Sequence, residues 1–365
     1  MWDEQSPASD ALRQRRTALS RWENEGGSGP RTRPLKHAPL YPLRFEPDCQ
    51  YRPWGGRRLT HVLSAPLPVD GPVGEAWLLS DRDDHPSVVA DGPLKGQTIG
   101  TLLQHSAQQL LGRLAGHFDR FPLLLKFLDV TQSLSVQVHP SDAYKDLIPV
   151  GNTGKSEAWV VLEAGPEARI YAGLKPAVTA EVLRQAVKNG TVPDQLASFT
   201  PKPGDGVFVQ AGTVHSLRDV VAFEVQQNSD VTFRLYDWDH VDPKTGRRRA
   251  LQVDQAMACI DFAHGAIGPV TPLVQEETPV LRERLVHSKH FGMTRISGQF
   301  PFVVGAVGLP RALVCLSGAA QLECADSPYA FGRGDVLLLP AVVGTCCCRP
   351  HGAVSLLEIS LPEPS

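Results

Sequence analysis

One short segment, residues 134–140, alternates apolar and polar side chains. Alternate side chains of a β-strand point to opposite faces, so Ser135, Gln137 and His139 would share one polar face. The segment follows a largely apolar stretch, residues 121–128, that is typical of a protein interior. Because a buried polar face is costly unless it binds something, the pattern predicts a ligand-binding strand. A solvated surface strand is the alternative.

A second strand-like segment carries two charges and an aromatic side chain. Lys155, Glu157 and Trp159 alternate within residues 154–162, whose other members from 158 onward are apolar. A lysine and a glutamate this close usually form a surface pair that stabilises little. Here the apolar neighbours predict that both charges are buried.

A third segment, residues 228–238, places Arg234 on the polar face of another predicted strand. The planar guanidinium group gives directed hydrogen bonds, so it is a ready partner for an oxyanion or a phosphate. The alternative is an arginine at the rim of the fold that forms a surface ion pair.

A glycine turn leads to a histidine in residues 204–215. This segment resembles the second metal motif of cupins, the small double-stranded β-helix barrels. In cupins two metal ligands lie two apart on one strand, a carboxylate follows, and a last histidine comes after a glycine turn. The residues that fit this order are Gln137, His139, Glu157 and His215. The set carries one negative charge, and its ligand types suit zinc, manganese, iron or nickel.

The elements that must position these residues are mostly strands. Gly and Pro are plentiful, at 32 and 31, which favours turns. Apolar residues recur at roughly helical spacing within residues 98–119, which predicts helices there. A second helix is predicted over about 180–189, with Thr179 as its N-cap. Residues 204–211 and 334–341 both read as a Gly-Asp turn that enters a buried strand, which predicts two related β-modules.

Composition excludes several classes of protein. The 365 residues suit two or three modules, and 42% hydrophobic with 21% charged residues exclude a disordered chain and a coiled coil. No apolar run approaches the roughly 18 residues that span a bilayer. The net charge of −3 gives no basic field for nucleic acid.

Seven cysteines without a CxxC pair predict reduced thiols that pack as small hydrophobes. No secretory signal is visible, so we expect a cytoplasmic protein.

Taken together, the chain from about Tyr41 to its end closely resembles type I mannose-6-phosphate isomerases in their shorter bacterial form. The segments that carry the resemblance, in order, are residues 54–56, 74–77, 121–129, 135–140, 154–159, 212–215 and 229–237. The resemblance implies a mainly β fold of two cupin-like (double-stranded β-helix or jelly-roll) barrels with a small helical insertion. It also implies a zinc-dependent aldose–ketose isomerase that interconverts mannose 6-phosphate and fructose 6-phosphate through an enediolate.

The resemblance also assigns residues. The family binds one zinc ion per chain, through positions that match the same four residues, Gln137, His139, Glu157 and His215. Its catalytic arginine and its active-site lysine match Arg234 and Lys155, and substrate-binding positions match Trp54, Ser135, Lys155 and Arg234. Lys155 would serve as base or proton relay if burial and the cation lowered its pKa. Candidates for the phosphate are Arg234, Lys126 and Arg218.

The domain organisation that we expect has three parts. Residues 1–39 form a polar, flexible extension with a possible helix over 11–22, and residues 40–270 form the catalytic cupin domain with its helical insertion at about 95–120. Residues 271–365 form a metal-free cupin-like domain, because Thr345 stands where the repeat would place the metal histidine.

We expect a monomer whose partner is a small sugar phosphate. Another cupin enzyme, such as a dioxygenase or a different sugar isomerase, and a non-catalytic sugar-binding protein are the alternatives.

Overall fold

The fold is built mainly from antiparallel strands, as the sequence predicts. The computed structural model describes residues 39–365 except 69, 243, 244, 325, 326 and 363–365. Strands make up 43% of the described residues and helices 13%, which confirms the mainly β, cupin-like fold class. The predicted extension and its helix over residues 11–22 lie outside the described residues.

The first half of the described chain forms one curled, nine-stranded sheet. Its strands are β1 (Asp48–Gly56), β2 (Val73–Leu79), β3 (Leu123–Val130), β4 (Val136–Val138), β5 (Glu157–Leu174), β6 (Leu196–Phe199), β7 (Gly206–Val209), β8 (His215–Gln227) and β9 (Phe233–Tyr236). The long strand β8 is central, because it pairs with β3, β4 and β5. It therefore connects the three strands that carry Lys126, Gln137 and Glu157.

Three α-helices lie outside the sheets of the described residues: α1 (Ile99–Leu111), α2 (Ala180–Asn189) and α3 (Val253–Cys259). The first lies within the predicted helical insertion. The second is the predicted one, with the Thr179 hydroxyl accepting a hydrogen bond from the Val182 amide and Gly190 in the left-handed conformation at its end. The third was not predicted. Short 3-10 helices span Arg58–His61, Gly112–Leu114 and Val192–Gln195. Across the described ranges, no helix has the length and apolar character needed to cross a membrane.

The last part of the chain forms a six-stranded and a four-stranded sheet. Their strands are β10 (Leu273–Glu276), β11 (Leu281–His287), β12 (Gly292–Gly298), β13 (Phe302–Gly305), β14 (Arg311–Ser317), β15 (Ala319–Cys324), β16 (Ser327–Gly332), β17 (Val336–Leu339), β18 (Thr345–Pro350) and β19 (Val354–Ser360). The repeated motif holds in the structure: Gly204 and Gly334 both have positive φ, 93° and 83°, and each precedes a short buried strand. The domain boundary near residue 270 stays a prediction.

The cysteines correct one expectation. Cys324 and Cys346 form a disulfide, whereas the sequence favoured reduced thiols throughout. The two residues lie on paired strands, β15 and β18, at a Cα–Cα distance of 4.6 Å. Their separation of 22 residues in the sequence hides this proximity. Cys348 and Cys315 are free and buried, as expected for small hydrophobes.

Strand β8 changes the face of its side chains at Asp219. In a regular strand, residues 217 and 220 would face opposite sides of the sheet. Instead Leu217 and Val220 belong to the same buried cluster. Asp219 adopts a positive φ of 50°, and the pairing with β5 skips from Ala164 to Arg169 at this point. This bulge brings side chains from both halves of β8 to one side of the sheet.

Candidate active site

Three of the four predicted metal ligands meet in one buried cluster. Gln137 of β4 pairs with His215 at the start of β8, and Glu157 begins the neighbouring strand β5. The two carboxylate oxygens of Glu157 lie 3.2 Å from His215 Nε2 and 3.4 Å from His139 Nε2. One ligand atom from each of these three residues lies within 4.8 Å of the others, and all three side chains are fully buried.

The fourth predicted ligand, Gln137, lies beside this cluster. Its amide nitrogen is 3.3 Å from His215 Nε2, and its oxygen accepts a hydrogen bond from the Ser135 hydroxyl at 3.0 Å. A half-turn of the terminal amide exchanges the oxygen and the nitrogen. In that orientation the amide oxygen faces the cluster, so the residue is placed to complete a four-ligand set.

The tautomers of both imidazoles suit a metal. His139 Nδ1 donates to the Val231 carbonyl at 2.8 Å, and His215 Nδ1 donates to the Thr213 carbonyl at 2.9 Å. The Nε2 lone pairs therefore point into the cluster, which is how metal-binding histidines are commonly held. Burial and the nearby Lys155 ammonium lower the pKa of His139 to about 3, so its ring stays neutral.

Glu157 and Lys155 are in direct contact. The Lys155 ammonium lies 2.6 Å from Glu157 Oε2 and 3.0 Å from His139 Nε2. Burial would raise the pKa of Glu157, but the charge of Lys155 outweighs it and the pKa lies well below its usual range. Burial would lower the pKa of Lys155, but the negative charges of Glu157 and Glu224 outweigh burial, so this pKa lies above its usual value. The protein groups alone therefore do not lower the pKa of Lys155, and its role as base or proton relay stays a prediction.

Glu224 is a functional candidate that the sequence did not reveal. It is buried on β8, and its Oε1 accepts a hydrogen bond from the Trp159 indole at 3.0 Å. Burial and the negative charge of Glu157 raise the pKa of Glu224 to about 7. A carboxyl group with that pKa can accept and return a proton near neutral pH.

A buried lysine lies next to Glu224. The Lys126 ammonium is 3.6 Å from Glu224 Oε2, 3.6 Å from Glu75 Oε2 and 4.0 Å from Asp230 Oδ1. It also sits over the Trp77 ring, 4.8 Å from the centroid. The assignment of Lys126 to the phosphate stays a prediction.

These side chains line a cavity of about 430 Å³. The predicted substrate residues Trp54, Ser135, Lys155 and Arg234 all line it. The Nε of Arg234 is buried and has no hydrogen-bond partner in the described part of the chain, so the guanidinium group keeps a donor for a substrate oxygen. Two arginines that the sequence did not single out, Arg52 and Arg249, also line the cavity.

Arg218, a predicted phosphate residue, lies elsewhere. It does not line the cavity, and its half-exposed guanidinium group forms an ion pair with Glu167. The pairing with β5 is regular from His215 to Arg218, so strand alternation places the Arg218 side chain on the face opposite to that of His215. The assignment of Arg218 to the phosphate is wrong.

Comparisons with known proteins show which family the chain resembles. Residues 43–155 match the phosphomannose isomerase type I catalytic domain. The mannose-6-phosphate isomerase ManA from Bacillus subtilis is 34% identical over 320 residues, covering 83% of this chain and 94% of that protein. A mannose-6-phosphate isomerase from Streptococcus mutans is 33% identical over 306 residues, covering 83% of this chain and 93% of that protein.

Solved structures show the same architecture. The crystal structure of the mannose 6-phosphate isomerase from Bacillus subtilis superposes with a TM-score of 0.80 at 28% identity, covering 88% of this chain and all of that one. A variant of the phosphomannose isomerase from Salmonella typhimurium gives a TM-score of 0.69 at 16% identity over 88% of this chain and 100% of that one, a likeness of fold alone. Sequence identity over most of the chain and the shared fold give one conclusion: the chain belongs to the type I phosphomannose isomerases.

Proposed function

We propose that this protein is a zinc-dependent mannose-6-phosphate isomerase that interconverts mannose 6-phosphate and fructose 6-phosphate through an enediolate. The observation that carries the proposal is the buried cluster of His139, Glu157 and His215 beside a cavity that Lys155 and Arg234 also line. The named relatives support the choice of substrate.

The donor set fits one divalent cation. Two neutral imidazoles, one carboxylate and the amide of Gln137 give nitrogen and oxygen ligands with one negative charge, so the occupied site would be positive by about one charge. Zinc accepts this set, as do manganese, iron and nickel, and the family resemblance favours zinc. When bound, the metal supplies a Lewis acid that stabilises negative charge on a substrate oxygen.

The proton transfer needs a base near C1 and C2 of the open-chain sugar. Among the protein groups, Glu224 is better suited than Lys155, because the pKa of Glu224 is raised to about 7 while that of Lys155 is raised above its usual value. We therefore propose that the Glu224 carboxylate removes the proton from C2 and returns it to C1. The Lys155 ammonium and the free Nε donor of Arg234 would stabilise the negative oxygens of the enediolate.

The phosphate group needs cations away from the metal. The candidates that line the cavity are Arg52, Lys126, Arg234 and Arg249. Arg52 pairs with Glu75 and Arg249 with Asp237, so both side chains are held in place before the substrate arrives. A cytoplasmic location and a monomeric state are part of the proposal and rest on the sequence.

The test joins metal analysis to turnover. We expect purified protein to contain one zinc ion per chain, to convert mannose 6-phosphate, and to lose this activity with a chelator and regain it with zinc. Reaction in heavy water should place deuterium at C1 or C2, because the proton removed by the base can exchange with solvent while the enediolate exists. If metal-replete protein binds mannose 6-phosphate without converting it, a sugar-binding role replaces the isomerase. An activity that requires iron and oxygen would instead indicate another cupin enzyme.

A further inference from the structure

The segment that carries Lys155 and Glu157 is held from behind by two polar side chains. Gln227, at the end of β8, accepts a hydrogen bond from the Ser156 amide through Oε1 at 2.9 Å. Asp142, in the loop after β4, accepts one from the Gly154 amide through Oδ1 at 2.7 Å. The two side chains are joined to each other, because Gln227 Nε2 donates to Asp142 Oδ2 at 3.1 Å.

We propose that Asp142 and Gln227 act as a pair of positioning residues that fix the backbone around Lys155, and through it the contacts of Lys155 and Glu157 in the active site. The proposal rests on the proposed function for its kinetic test only. Neither side chain needs to touch the sugar or the metal. Their role is to set where the ammonium and carboxylate groups lie.

The hydrogen-bond pattern of the pair admits few side chains. Each of the two side chains must accept a hydrogen bond from a backbone N–H group, that of Gly154 or that of Ser156. With its other terminal atom, one side chain must also donate a hydrogen bond to the other side chain. One amide and one carboxylate meet this requirement in either order, whereas two amides place donors face to face and two carboxylates place acceptors face to face.

The held segment has little freedom to adjust. Gly154, Lys155, Ser156 and Glu157 are all buried. The Ser156 carbonyl accepts a hydrogen bond from the main-chain N–H of Gln227 at 3.2 Å. The Ser156 hydroxyl accepts one from the main-chain N–H of Ala211 at 3.1 Å. A lost hydrogen bond on one side of Ser156 therefore displaces a buried backbone, because unpaired buried N–H groups are costly.

The active site depends on this backbone at short range. Lys155 and Glu157 flank Ser156. The Lys155 ammonium lies 2.6 Å from Glu157 Oε2 and 3.0 Å from His139 Nε2. Contacts this short are sensitive to small displacements of the main chain. Groups that orient metal ligands typically affect activity or metal affinity by 10- to 100-fold.

The experiment is an exchange of the two functional groups. The single variants Asp142→Asn and Gln227→Glu create two amides and two carboxylates, respectively, and the double variant restores one of each in the reverse order. We expect each single variant to lose on the order of ten-fold in kcat with little change in KM. The double variant should regain most of this loss. Gln185→Glu, an exposed position on α2, is the matched control and should retain wild-type kcat.

A second measurement does not depend on activity. Hydrogen–deuterium exchange of peptides that cover residues 152–157 should be faster in each single variant and return to the wild-type rate in the double variant. Wild-type exchange in the single variants, or a double variant no better than the single ones, would overturn the proposal. If wild-type protein fails to convert mannose 6-phosphate, the proposed function fails, while the exchange rates still decide the role of the pair.

Discussion

The buried charges around Lys126 give a prediction about stability. Replacing Glu75 by Gln keeps the shape of the side chain and an acceptor for the Trp77 indole, which donates to Glu75 Oε2 at 2.6 Å. It removes the negative charge that lies 3.6 Å from Lys126 and 3.1 Å from Arg52. We expect the free energy of unfolding to fall, by an amount that depends on pH.

The pKa of Glu75 gives the magnitude. Burial would raise this pKa, but Lys126 and Arg52 outweigh burial and lower it from 4.5 to about 2. This difference corresponds to about 3 kcal/mol at neutral pH, an upper value because Lys126 keeps Glu224 as a partner. A carboxyl group whose pKa is lowered by folding stabilises the protein above its unfolded pKa. The contribution is therefore complete above about pH 4.5 and falls to about 1 kcal/mol by pH 3.

Urea unfolding of wild-type and Glu75→Gln protein at pH 7 and pH 3 measures this contribution, with metal removed from all samples by a chelator. The control is Glu167→Gln, which removes the carboxylate from the exposed pair with Arg218 and should change stability by less than about 1 kcal/mol. A Glu75→Gln effect below about 1 kcal/mol at pH 7, or one that stays constant down to pH 3, would refute the reasoning.

Three further predictions concern the active site and the chain start. His215→Ala removes one of two nitrogen ligands, so elemental analysis should find no stoichiometric metal; a full equivalent would refute the assignment. Lys155→Met and Arg234→Gln should retain the metal and lose on the order of 100-fold or more in turnover of mannose 6-phosphate, and metal loss in step with activity would contradict separate roles. A shortened chain that begins at Pro39 should keep the activity and thermal midpoint of the full chain, because residues 1–38 lack a core-forming pattern; a large drop in either would refute this.

Much of the site could be predicted from strand alternation, and its main gap has a local cause. His139 and Glu157 follow from polar residues at alternate positions of apolar strands, and His215 follows from the glycine turn that resembles a cupin metal motif. Glu224 does not, because it lies nine positions after His215, and strict alternation would place the two on opposite faces of β8. The bulge at Asp219 cancels that difference, and a left-handed residue that is not glycine leaves little trace in a sequence.

Other features could not be predicted because they depend on pairing between distant segments. Glu75 and Lys126 face each other only because β2 pairs with β3. The disulfide requires Cys324 and Cys346 to meet across β15 and β18. Short-range patterns predict the elements and the faces of regular strands, whereas long-range register decides which charges and thiols become neighbours.

The partners of the two imidazoles have a consequence for how the site tolerates mutation. Both Nδ1–H groups donate to main-chain carbonyls, those of Val231 and Thr213. Every amino acid supplies a carbonyl, so no substitution at these two positions deletes the acceptor itself. The tautomers that direct both Nε2 lone pairs inward therefore depend on the course of the backbone and not on the side chains at positions 213 and 231. Substitutions at these two positions can alter packing and solvent access while the imidazoles keep their orientation.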